Sequence, residues 1–147
     1  MRGFLGIVAG LVAAIAAAML IAFIGGLVIP PAPVSVDMSS VDGIRDAYSS
    51  LGTNAQLLGV VSWAGGGLVG ALVAKHIIGR PWAAWTIAAL TEAYMLVNVL
   101  MLPMPGWMQA VALILPLIAG FLANHLIKNR VDDDEVVSEG NGIDAEA

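Results

Sequence analysis

Four long apolar stretches constrain this chain more than any other feature, because their peptide groups have few places to go. They cover about residues 3–29, 57–78, 82–102 and 107–127. A hydrocarbon core of ~30 Å is crossed by about 20 helical residues, so each stretch is long enough to span it. Inside hydrocarbon every N–H and C=O must be paired, which leaves helices or a closed barrel. Barrel strands are ~9–11 residues with alternating faces. These runs are longer and do not alternate, so they read as helices. Pro30 and Pro31 close the first, Gly79 the second and Pro103 the third, while Pro81 suits the first turn of the third.

Composition points the same way. Of the 147 residues 59% are hydrophobic and 12% charged, with a mean hydropathy of +0.90. A soluble domain of this size has too few interior positions for so much apolar surface. Seven of the eleven acidic residues lie beyond Arg130, so the pI near 4.6 describes a tail. Six Lys and Arg make no basic stripe, which argues against a nucleic-acid partner. Without cysteine there is no disulfide, thiolate metal site or cysteine nucleophile. The first run is about 27 residues against ~7–15 for the apolar part of a signal peptide, and reads as a retained span.

The expected fold is therefore all-α: a transmembrane four-helix bundle over residues 1–130, followed by a disordered acidic cytoplasmic tail over 131–147. Arg2, Lys75, Arg80, Lys128 and Arg130 all fall on one side of four crossings, with Arg45 alone on the other. The positive-inside rule makes the shared side cytoplasmic, with both termini there. Trp82, Trp85 and Trp107 sit where interface anchors belong, and Trp63 is either a deep anchor or a packing residue. The connection from Pro30 to Gln56 is the only external segment with room for structure. Within it Val41, Ile44, Tyr48 and Leu51 share a helical face, and Ser39 with Asp42 forms a capping pair, so a short periplasmic amphipathic helix is expected between the first two spans. It rests on the membrane or offers a docking surface. The run Asp132 to Glu135 is a solvated end, a cation site or a contact for a basic partner.

Small residues form the most distinctive pattern. Gly6, Gly10, Ala14, Ala18, Ala22 and Gly26 recur every fourth position in the first span, as do Gly66, Gly70 and Ala74 in the second. Such strips let backbones approach closely, which in lipid replaces the hydrophobic force as the source of association. They serve packing of the first span on the second, contact with another subunit, or a hinge. Glu92 lies near the middle of the third span, where a carboxylate costs at least ~2.5 kcal/mol unless protonated or paired. With Asn98, and toward Gln109, it marks a polar face that lines a proton or small-solute path, locks the bundle or an interface, or touches a lipophilic ligand. Pro116 should kink the fourth span. His76 and His125 end two parallel spans in similar strings, Ala74 to Ile78 and Ala123 to Ile127. They suit helix C-termini, and haem or metal ligation by the pair would need a further ligand. No metal site, catalytic constellation or cofactor motif is expected.

The glycine- and alanine-rich first span ending in Ile29-Pro30-Pro31, the glycines from Gly66 to Gly70 and the Pro105-Gly106-Trp107 entry to the last span resemble the small, uncharacterised four-span inner-membrane proteins of bacteria. The resemblance covers about residues 1–130 and implies topology and a bacterial inner-membrane location, with no activity attached. The reading that follows is a small accessory or assembly subunit, packing through its first two spans against itself or a larger membrane complex. The alternatives are an oligomeric proton-coupled carrier or narrow channel using Glu92, and a protein that binds a quinone, carotenoid or other lipid.

Overall fold

A computed structural model describes residues 2–29, 40, 42–43, 46, 50–101 and 104–127. The described residues form four long helices and no strand: α1 (Arg2–Val28), α2 (Thr53–Ile78), α3 (Pro81–Met101) and α4 (Gly106–Leu126). All four are long and apolar enough to cross a membrane. Three begin within a residue of where hydropathy placed them. α2 begins earlier, at Thr53, because the Gly52 carbonyl accepts the Ala55 and Gln56 N–H groups at 2.9 and 3.2 Å, while Gln56 Nε2 donates to the Leu51 carbonyl. Thr53, Asn54 and Gln56 of that first turn are polar, so hydropathy alone reads it as loop.

The turns explain the order of the helices. Gly79 ends α2 at φ 76°, a left-handed conformation that a residue with a Cβ adopts only with strain, and its N–H donates to the Lys75 carbonyl at 2.7 Å. Pro81 then starts α3 with its φ preset and no N–H left unpaired. Before α4, the Pro105 carbonyl accepts the Met108 N–H at 2.9 Å.

Neighbours in sequence are antiparallel neighbours in space. Gly6, Gly10, Ala14 and Ala18 of α1 meet Ile78, Ala74, Gly70 and Gly66 of α2 in turn. Gly67 of α2 faces Thr91 of α3, and Gly120 of α4 faces Ala88 and Trp85 of α3. α2 also packs on α4, parallel to it, with Lys75 opposite Asn124 at one end and Val60 clustered with Met108 at the other. α2 is thus the central helix, and α1 packs mainly on α2 and only slightly on α3.

The interior is built from small side chains. Ala71, Ala74, Ala83, Ala84 and Ala123 are wholly buried with Ile87 at the Lys75 end, and Val60, Met104 and Met108 pack with Trp63 at the other. Large apolar groups face outward instead, among them Phe4, Leu27, Leu100 and Phe121. A water-soluble bundle arranges these the other way round; small residues inside and bulky ones outside suit a surround as apolar as the core.

Of the short helix expected over 39–51, residues 42, 43, 46 and 50 are helical, and the Gly43 N–H donates to Ser40 Oγ at 3.0 Å. The Ser39 cap and the remaining residues of that segment up to 49 lie outside the described residues. So do Pro30, Lys128, Arg130 and the acidic tail.

Candidate functional site

The small-residue strip is where the helices come closest. A Cβ built on Gly66 falls 2.6 Å from the Ala14 carbonyl oxygen and 2.8 Å from Ala18 Cβ. One on Gly70 falls 2.7 Å from both the Gly10 carbonyl oxygen and Ala14 Cβ, and one on Gly10 is 2.8 Å from Ala74 Cβ. These glycines are therefore occupied by each other. The strip does not run the full helix, however. A four-residue step overshoots a helical turn by about 40° each time, so after Ala18 the contact passes to Ile21 and Gly25, which meet Gly65 and Leu58. Ala22 is exposed, and a Cβ on Gly26 meets nothing within 4 Å.

Glu92 lies mid-way along α3, one turn beyond Ala88 on the side that meets α4. Its Oε2 is enclosed and has no hydrogen-bond partner. The polar face expected to continue through Asn98 does not form. Asn98 stands about 240° round the helix from Glu92, and its Nδ2 donates to the Tyr94 carbonyl at 2.8 Å. Gln109 Nε2 likewise donates to the nearby Met104 carbonyl at 3.0 Å. Both amides serve local backbone and neither extends a path from the carboxyl group.

The sequence pattern uses Lys75 only as a basic residue flanking the turn after α2 and assigns it no contact. Its side chain is 1% exposed, one of the largest fully buried, and its Nζ donates to the Asn124 carbonyl at 2.7 Å. That carbonyl belongs to the last turn of α4, where intrahelical donors run out, so the ammonium caps α4 from within α2 and meets the negative end of its dipole. Asn124 Oδ1 and Nδ2 are also enclosed, with no partner. The signal was present in the likeness of Ala74-Lys75-His76 to Ala123-Asn124-His125. Because α2 and α4 run parallel, these triplets lie side by side: both alanines are buried, Lys75 meets Asn124, and both histidines are exposed. The His125 ring stacks on Phe121, centroids 6.4 Å apart. Among the described residues no three His, Cys, Asp or Glu gather as metal ligands.

Between α1 and α3 lies an open groove of about 530 Å³ at the middle of both helices, with α2 as its floor. Leu11 and Ala18 form one wall, Thr91 and Tyr94 the other, and Trp63 and Gly67 the base. Trp63 also packs against the Val60 and Met108 cluster. Behind Gly67 a void of about 10 Å³ reaches Pro116. α4 continues as helix through Pro116, whose missing N–H leaves the Ala112 carbonyl without its helical donor.

Among the described residues these features amount to four long apolar helices with an alanine and glycine interior, a buried Lys75, an enclosed Glu92 carboxylate oxygen and a groove at mid-helix. No family model, curated protein or solved structure matches the chain.

Proposed function

We propose that this chain is a multi-pass protein of a bacterial inner membrane with cytoplasmic termini, acting as a small accessory or assembly subunit packed against itself or a larger membrane complex. The observation that carries the proposal is Glu92, whose Oε2 is enclosed at mid-helix without a hydrogen-bond partner in its own chain. Ionisable residues at that depth cost on the order of 2.5 kcal/mol or more and are found paired or lining water-filled paths. With Asn98 and Gln109 bonded to local backbone, a donor from a neighbouring subunit answers the need better than a polar channel does. Since Gly10, Gly66 and Gly70 face each other, the partner contact belongs on the α3 and α4 surface rather than on the small-residue strip.

Native mass analysis after mild extraction tests this. The wild type and Glu92→Gln, whose amide still exchanges hydrogen bonds, keep one defined assembly, and Glu92→Leu falls to the lone chain. An unchanged assembly in Glu92→Leu, or a lone chain in the wild type, overturns the reading.

A further inference from the structure

The groove between α1 and α3 is left over by the packing just described, and α1 cannot close it. Swinging α1 onto α3 would pull Gly10 and Ala14 away from Gly70 and Gly66, where backbone and Cβ already touch. The groove lies at the midpoints of α1, α2 and α3, and on the membrane reading above that is hydrocarbon depth, reached from the lipid side.

We propose that this groove binds one isoprenoid chain of a membrane lipophile, lying along α2 between α1 and α3. Size selects a chain over a protein span. The volume of about 530 Å³ is some three to four times the ~150 Å³ cavity that holds one benzene ring, which is room for on the order of twenty carbons. A helix ~10–12 Å wide with a 5.4 Å pitch fills about 500 Å³ per turn, so the groove takes roughly one turn of a partner helix and not its length. The lining selects unsaturation. Trp63 and Tyr94 bring aromatic rings to the lining, and Met19 and Met95 add polarisable sulfur that adapts to an irregular chain. Thr91 and Tyr94 bring hydroxyl-bearing side chains to the α3 wall, so a carbonyl-bearing head can register the chain along α3. Gly67 keeps the floor low: a Cβ there would meet only Thr91 Cγ2, at 3.6 Å.

The test uses the full chain in phosphatidylcholine nanodiscs with Trp82, Trp85 and Trp107 changed to Phe, which leaves Trp63 as reporter. The probe is a naphthoquinone bearing a geranylgeranyl tail. Its quenching of Trp63 saturates near one molecule per chain, and Gly67→Leu, or Ile15→Phe with Leu90→Phe at the exposed rim, weakens it about tenfold or more while thermal stability in detergent is kept. Quenching that rises linearly with probe content and is equal in the variants overturns the proposal. So does equal, competing quenching by dibrominated phosphatidylcholine, which would make the occupant an ordinary lipid chain. A chain that enters nanodiscs but shows either result loses only the groove assignment; one that never enters them loses the membrane reading itself.

Discussion

Replacing Gly70 by alanine places a methyl group where the structure has none to spare. The new Cβ lies 2.7 Å from the Gly10 carbonyl oxygen and 2.7 Å from Ala14 Cβ. Ordinary carbon contacts begin near 3.5 Å, so α1 and α2 must separate by most of an ångström. Both obstacles are backbone or directly attached to it, so no flexible side chain can swing aside. A gap of 0.5–1 Å forfeits a quarter to a half of the dispersion energy of every pair along the contact, and overpacking of this kind costs about 1–3 kcal/mol. Helix propensity opposes the loss, since alanine is favoured over glycine by up to ~1 kcal/mol within a helix. Gly26 isolates that opposing term, because a Cβ there meets nothing within 4 Å. Gly70→Ala therefore destabilises by a net ~1–2 kcal/mol and Gly26→Ala is neutral or slightly stabilising, read by reversible unfolding in mixed micelles. Equal shifts for the two, in either direction, would refute the close approach of α1 to α2.

Lys75→Ala leaves a cavity among wholly buried alanines and strands the Asn124 carbonyl, costing about 2–4 kcal/mol. Lys75→Met fills the space and costs less, so a melting series in which Met is worse than Ala would contradict the buried cap. Ile87→Ala, at a fully buried position, costs about 2–4 kcal/mol. Leu100→Ala, 78% exposed, stays within ~0.5 kcal/mol by the same assay. The chain has no native cysteine, so single cysteines at Ser50 and after Ala147 can be labelled with an impermeant maleimide in intact cells; the first reacts and the second only after lysis. Labelling of both from one side removes the proposed topology.

The limits of the sequence show most clearly at Lys75 and Glu92. Hydropathy marks Glu92 because a lone carboxylate interrupts an apolar run, and it marks Lys75 only as a charge near a helix end. Which way each side chain points depends on helix phase against three neighbours. A one-dimensional pattern carries phase only while its repeat matches the helix, as the strip does from Gly6 to Ala18. Past that point the four-residue spacing and the 3.6-residue turn part company, and Ala22 and Gly26 leave the contact. Asn98 fails for the same reason: a polar residue nearly two turns from Glu92 is not on its face.

What the amino-acid order determined alone is the set of four helices and their breaks, since long apolar runs have a single way to pair their peptide groups and Pro31, Gly79, Pro81 and Pro103 leave little choice about where to stop. The tertiary structure alone decided the partners: α1 lies on α2 and away from α4, Lys75 reaches the end of α4, and a groove stays open beside Tyr94. Helix formation is settled by bonds within one segment, whereas packing is settled by the shapes of two surfaces at once, and neither surface is written in the other's sequence.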